Sequence, residues 1–232
     1  MSIFAISDLH LSFNSEKPMD IFGKKWESYV QRLEENWNSL VSYDDFVVVP
    51  GDISWATYLE ETSKDFDYIN NLNGKKIILK GNHDYWWTTA NKMNNFVKDN
   101  SFDTVSFIQN NAFFADKTAI CGTRGWMLPN DKTSELNKKI FEREKLRLVL
   151  SLECAKKSGA ENIIAALHYP PVEKDNSNQD FLDIMKQYGV KLCIYGHLHA
   201  QSQKNAVQGE VSGVELKLVS CDYLNFVPCK LV

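Results

Sequence analysis

The sequence predicts an α/β sandwich in which two sheets are flanked by helices. Three observations lead there. Five continuous apolar runs, rich in Ile and Val, read as strands buried on both faces. Segments with apolar residues at helical spacing lie between them. Further short apolar runs supply strands for a second sheet.

In chain order, Ser2–Ile6 is the first strand and leads into Asp8. Lys25–Val41 carries Trp26, Tyr29, Val30, Leu33, Trp37, Leu40 and Val41 at helical spacing. Phe46–Pro50 is a strand running into Gly51-Asp52, and Thr57–Leu72 a second helix. Lys76–Leu79 runs into Gly81-Asn82-His83-Asp84, and Thr88–Lys98 is a third helix. Strands near 104–108, 112–115, 118–122 and 214–219 are expected to build the second sheet. Thr133–Lys157 reads as a long charged helix with Leu136, Ile140, Phe141, Leu148 and Leu152 inward. Its Lys and Arg read as a solvated face. Asn162–Leu167 runs into His168, Phe181–Tyr188 is a short helix, and Lys191–Tyr195 runs into Gly196-His197. The tail Asp222–Val232 is expected to close the second sheet.

All five histidines sit in short motifs at these strand ends. They read Asp8-Leu9-His10, Gly81-Asn82-His83-Asp84, His168-Tyr169-Pro170 and Gly196-His197-Leu198-His199, with Gly51-Asp52 between the first two. Singly, each is a common turn or an edge pair. Together they bring imidazole, carboxylate and one amide oxygen, the donor set that holds Mn, Fe or Zn at hydrolytic sites. Ligands bind at the carboxyl ends of strands in α/β sheets, so five strand ends can deliver these groups to one place. The glycines before Asp52, Asn82 and His197 suit sharp turns and close backbone approach.

This order of motifs resembles the calcineurin-like metallophosphoesterases over residues 8–199. The resemblance implies a four-layer α/β/β/α sandwich of two mixed sheets flanked by helices. It implies two divalent metal ions, Mn, Fe or Zn. Asp8, His10, Asp52 and His199 would hold one. Asp52, Asn82, His168 and His197 would hold the other, with Asp52 bridging. His83 would face the substrate. The stretch after the bridging position, Gly51-Asp52-Ile53-Ser54-Trp55, lacks the Arg found there in the protein serine/threonine phosphatases. The Ser7-Asp8-Leu9-His10 opening is closer to the bacterial Icc-like phosphohydrolases, a grouping that includes phosphodiesterases and nucleases.

The chemistry implied is metal-dependent hydrolysis of a phosphoric ester, by attack of a metal-bound hydroxide, with His83 protonating the leaving group. Phosphodiesters or nucleotide-like small molecules are the expected substrates. The alternatives are a phosphomonoesterase, including a protein phosphatase, and a catalytically silent metal-binding scaffold of the same fold. Asp84 either orients His83 or caps the helix that follows.

Length and composition suit one domain, residues 1–232, with 44% hydrophobic residues. No linker, repeat or membrane-length apolar run interrupts it. Asp8 comes too early to leave room for a signal peptide. The five cysteines show no Cys-x-x-Cys spacing and read as reduced, mostly packed thiols of a cytoplasmic protein. The net charge of −4, from 26 basic and 30 acidic residues, argues against a general nucleic-acid binder. It leaves a small phosphate ester as the expected partner.

Two features are candidates for touching substrate. Arg124, in Gly122-Thr123-Arg124-Gly125-Trp126, either grips phosphate bidentately or is an ordinary loop Arg pairing a carboxylate. Trp55, Tyr85, Trp86 and Trp87 either stack on a flat group or pack the core. The polar loop Glu173–Gln179 is either a lid or a plain surface loop.

Overall fold

The computed structural model describes residues 1–15 and 17–232. It contains strands β1 (Ile3–Ala5), β2 (Phe46–Pro50), β3 (Lys75–Leu79), β4 (Val105–Phe107), β5 (Phe113–Ala115), β6 (Thr118–Thr123), β7 (Asn162–Leu167), β8 (Leu192–Tyr195), β9 (Gly209–Val211), β10 (Val214–Leu218) and β11 (Cys229–Lys230). The α-helices are α1 (Tyr29–Leu40), α2 (Ser63–Asn71), α3 (Ala90–Asp99), α4 (Glu135–Lys157) and α5 (Asp180–Gln187). One sheet has the order β11-β1-β2-β3-β4 and the other β5-β6-β7-β8-β10-β9. Both are mixed: β1–β4 run parallel with β11 antiparallel, and β6, β7, β8 and β10 run parallel between antiparallel β5 and β9.

Alternation along each strand builds the layers. In β2, Val47 and Val49 pack with Leu33, Trp37, Phe66 and Met93 of α1–α3, while Phe46 and Val48 face the other sheet. In β7, Ile163, Ala165 and Leu167 meet Phe141, Leu148, Phe181 and Met185 of α4 and α5, while Ile164 and Ala166 face inward. The order is therefore helices, sheet, sheet, helices, and the inner layer joins Ile3, Val48 and Ile77 to Ile120, Ile164 and Ile194.

Several expectations are corrected. Strand 104–108 belongs to the first sheet, beside β3. The strands ending at His168 and His197 belong to the second, so the motifs come from both sheets. The tail closes the first sheet, with β11 antiparallel to β1. In segment 57–72 a 3-10 turn, Leu59–Thr62, precedes α2, and the Thr57 and Tyr58 backbone N–H groups just before the turn donate to Glu61 Oε2. The 25–41 segment is interrupted at Ser28, which takes a left-handed φ of 50°. In α4 the inward stripe is Phe141, Glu144, Leu148, Ser151, Leu152 and Ala155, so Leu136, one turn too early, is exposed. Glu144 lies within that buried stripe rather than on the solvated face.

Candidate active site

The turns after β1 and β2 run side by side beyond the sheet. Asp8 N donates to Gly51 O at 2.9 Å, His10 N to Asp52 O at 3.0 Å, and Leu11 N to Ile53 O at 2.9 Å. To turn their side chains into the site, Asp8, His10 and Asp52 adopt φ values of 61°, 47° and 54°, and His197 one of 71°. Non-glycine residues rarely enter this region, and strain of this kind concentrates at functional sites. Two glycines permit the close approach. A Cβ at Gly81 would strike the Asp52 carboxylate, and one at Gly196 would strike Asp8.

The residues named from the sequence converge. His168 Nε2 lies 2.7 Å from Asn82 Oδ1, which lies 2.8 Å from His197 Nδ1. His168 Nε2 is 3.5 Å from Asp52 Oδ2, and His10 Nε2 is 3.9 Å from the same oxygen. His10 Nε2 faces His199 Nε2 at 3.3 Å, and His199 Nε2 lies 3.3 Å from Asp8 Oδ1. Asp8, His10 and His199 form one group with metal-binding proximity, and Asp8, Asp52 and His168 a second. Asp52 Oδ2 therefore lies between the two histidine groups, and Asp8 belongs to both clusters.

The electrostatics suit cations. Burial pushes the imidazoles of His10 and His168 down to about 3, which keeps them neutral with a lone pair to offer. Burial, Asp84 and Asp8 together raise the Asp52 carboxyl well above its usual range. Burial also opposes charge on Asp8, yet His199, His168 and His10 hold its carboxyl well below that range. Burial opposes charge on His199 too, but Asp8 and Asp222 push it up to about 10. His168 Nδ1 is 3.0 Å from the Pro50 carbonyl, to which it donates. Its Nε2 lone pair then points at the Asn82 amide oxygen, an arrangement that a cation between the two atoms would satisfy.

Asp84 has a role that neither sequence-based alternative anticipated. It is fully buried and accepts from Gly81 N at 2.7 Å, Asp52 N at 2.9 Å, Ile53 N at 2.9 Å, Ser54 N at 3.4 Å and Trp86 Nε1 at 3.0 Å. Thr89, not Asp84, caps α3. The Asp84 carboxylate accepts no hydrogen bond from the His83 ring among the described residues; it fastens the turn after β2 to the turn after β3. His83 sits beside the cluster, with its ring against Trp55 at a centroid distance of 4.6 Å and its buried Nδ1 unpartnered.

Of the substrate candidates, Trp86 is 2% exposed and packs on Phe66, Trp87 and Phe107, so it is core. Trp55 is half-buried and stacks on His10 at 4.9 Å. Tyr85 is 63% exposed. Arg124 is largely buried, lies over the Trp126 ring at 4.3 Å and comes within 3.6 Å of Glu144. It faces a cavity that none of the clustered Asp and His residues lines. The loop Glu173–Gln179 contributes Glu173, Lys174 and Asp175 to a cavity of 460 Å³ that opens against His197.

Asp222 escaped the sequence reading. Its Oδ1 lies 2.8 Å from His199 Nδ1, and its Oδ2 accepts from Gln203 Nε2 at 2.7 Å and Ala200 N at 3.2 Å. A carboxylate behind a histidine turns the other ring nitrogen toward a metal. The available signal was its place just past the end of an apolar strand, the same position as the other motifs.

Buried Asp and His side chains gathered from strand ends of two packed sheets define a metal-dependent hydrolase. The chain belongs to the calcineurin-like phosphoesterases, whose family model matches residues 1–201, and is thus a metal-dependent phosphoric ester hydrolase. Comparison with curated proteins gave no match. Among solved structures, the chain is similar to phosphopantetheinyl hydrolase from Mycobacterium tuberculosis, with 15% identity, 100% of this chain and 95% of that one covered, and a TM-score of 0.54. A protein of unknown function from Aquifex aeolicus shares 14% identity over 99% of this chain and 95% of that one, with a TM-score of 0.53. A protein from Thermus thermophilus shares 11% identity over 92% of this chain and 86% of that one, with a TM-score of 0.56. At these identities the likeness concerns the fold.

Two outcomes follow from this geometry. Asp222→Ala releases the His199 ring and is expected to weaken metal affinity by about ten- to a hundredfold. Metal titration of the chelator-treated variant measures it, and unchanged affinity would remove Asp222 from the site. Trp86→Ala is expected to lower stability by about 3–5 kcal/mol. Its effect on KM should be alike for a nucleotide ester and a phenyl ester; a selective rise for the nucleotide would return Trp86 to the substrate.

Proposed function

We propose that the chain is a dinuclear metallophosphoesterase acting on phosphodiesters or nucleotide-like small molecules, with residues 1–232 forming one catalytic domain. The observation that carries this reading is the neutral His168, which donates through Nδ1 to Pro50 O and aims its Nε2 lone pair at Asn82 and Asp52. Asp8, His10, Asp52 and His199 would hold one ion; Asp52, Asn82, His168 and His197 would hold the other. Mn, Fe or Zn suits this donor set. When bound, such a pair lowers the pKa of water and neutralises charge on the phosphate oxygens.

The side chains supply the rest. His83 N donates to Asp52 Oδ1 at 2.8 Å, which keeps the imidazole at the edge of the cluster. Burial lowers its pKa below the ordinary imidazole value, which makes protonated His83 the stronger acid and also the scarcer form at neutral pH. The neutral Asn82 amide contributes an oxygen without adding charge that would repel a phosphate. One cavity, of 460 Å³, lies beside the cluster between Tyr169, His197 and Leu198 and offers room for an organic arm of an ester. The missing Arg after Asp52 and the net charge of −4 disfavour phosphoprotein and long nucleic-acid substrates. The five free thiols favour a cytoplasmic setting.

Metals added back to chelator-treated protein, with a phosphomonoester and a phosphodiester assayed side by side, test the substrate class. Diester turnover is expected. Phosphoserine-peptide hydrolysis without any diesterase activity would overturn it, and inactivity with every metal would favour a silent scaffold. His83→Ala is expected to keep its metal while losing about a hundredfold or more in turnover. The loss should be largest for esters with poor leaving groups. Asp52→Asn should lose metal and turnover together; equal metal loss in both variants would make His83 a ligand.

A further inference from the structure

A further polar cavity, of 310 Å³, opens at the ends of β3, β4 and β6. Its wall carries Lys80, Arg124 and Arg147, with a single carboxylate, Glu144. Glu144 already has its partners. Thr123 Oγ1 donates to it at 2.6 Å and Arg147 Nη1 at 2.9 Å. Arg124 approaches it only to 3.6 Å, outside hydrogen-bond distance. The Arg124 side chain is only 13% exposed, and its buried Nε has no hydrogen-bond partner. Stacking on Trp126 at 4.3 Å fixes the plane of this guanidinium. Lys80 is half-buried and has neither an ion pair nor a hydrogen bond among the described residues. Three cations against one carboxylate leave the cavity with a surplus of two positive charges.

Gathering like charges in a half-buried space costs free energy unless an anion joins them. A planar guanidinium with unused donors beside an ammonium matches the tetrahedral oxygens of a phosphate. Thr88 and Gln109, on the same wall, add polar groups, and the volume lies at the small end of ligand cavities. The site is tied to the Asp/His cluster on both sides. Lys80 directly precedes Gly81-Asn82-His83 in the chain, and the Arg124 carbonyl accepts from His168 N and Tyr169 N, each at 3.0 Å.

We propose that this cavity is a second anion site, which takes a phosphate group other than the one hydrolysed at the Asp/His cluster. That group is either a further phosphate of the substrate or a free phosphate ion. Because the site is built from side chains alone, it binds phosphate independently of the metal centre, and its failure is separable from failure of the proposed reaction.

The test is calorimetric titration of inorganic phosphate into the full chain, first chelator-treated and then metal-loaded, with Lys80→Gln and Arg124→Gln as variants. Chelator-treated wild type is expected to bind phosphate, and each variant to bind it at least tenfold more weakly with unchanged metal content. Metal-loaded Lys80→Gln should bind one phosphate fewer than wild type, which covers the case of a metal-free chain that does not fold. Lys80→Gln also serves if the more buried Arg124 variant does not fold. Phosphate binding that Lys80→Gln leaves unaltered in both preparations would overturn the proposal, as would its absence from both wild-type preparations. KM values distinguish the source. A rise in Lys80→Gln confined to esters carrying a second phosphate assigns the site to substrate, whereas loss of phosphate binding with KM unchanged for all esters assigns it to a free ion.

Discussion

The buried carboxylate of Asp84 is the interaction on which the site depends. Its oxygens collect backbone N–H groups from Asp52, Ile53, Ser54 and Gly81, together with the indole N–H of Trp86. Those donors belong to turns that leave their strands and would otherwise be buried without partners. A carboxylate in this position would be costly alone; the five donors offset part of that cost, and burial still holds the Asp84 carboxyl above its usual range. The consequence is geometric. Asp52, which projects from the first turn, and Asn82 and His83, which project from the second, are held in one frame.

A second constraint is conformational. Asp8, His10, Asp52 and His197 all take left-handed backbone conformations. Each costs on the order of 1 kcal/mol or more and persists only where the surroundings impose it. The imposing contacts are visible. The Asp8 and His10 amides donate to the turn after β2, His197 N donates to both oxygens of Asp8 at 3.1 Å, and Tyr29 Oη donates to His10 O at 2.9 Å. The backbone thus sets the direction of the Asp8, His10, Asp52 and His197 side chains, a preorganisation that suits a metal-dependent hydrolase.

The two sheets meet at the site end. Ser7 N donates to Val219 O at 2.8 Å and Cys221 N to Ser7 O at 2.9 Å, so the end of β1 is hydrogen-bonded to the segment after β10. This seam places Asp8 from one sheet opposite His197 and His199 from the other, and it carries Asp222 into position behind His199. It also explains the path of the tail. Once Cys221 is fixed at the seam, the chain continues back to pair with β1 rather than with the second sheet.

The sequence by itself determined most of the elements and the donor groups at the strand ends. Apolar runs of Ile and Val mark the strands because parallel strands are buried on both faces. The motifs at their ends name donor groups that, in the folded chain, come together. It could not decide which sheet each strand joins, because strands bound for either sheet look alike in their apolar pattern. The 104–108 strand and the tail therefore carry no local mark of the first sheet, which both join. Nor could it distinguish packing from function in side chains that are both aromatic and close to the site. Trp86 and Trp87 are adjacent in sequence to His83 and Asp84, yet the turn after β3 sends Trp86 into the core. The same holds for charge: Glu144 and Asp84 look like surface or capping residues until the fold supplies their donors. Tertiary structure decides these matters because the partners of Asp84, Glu144 and Asp222 come from distant segments of the chain, and no local pattern records them.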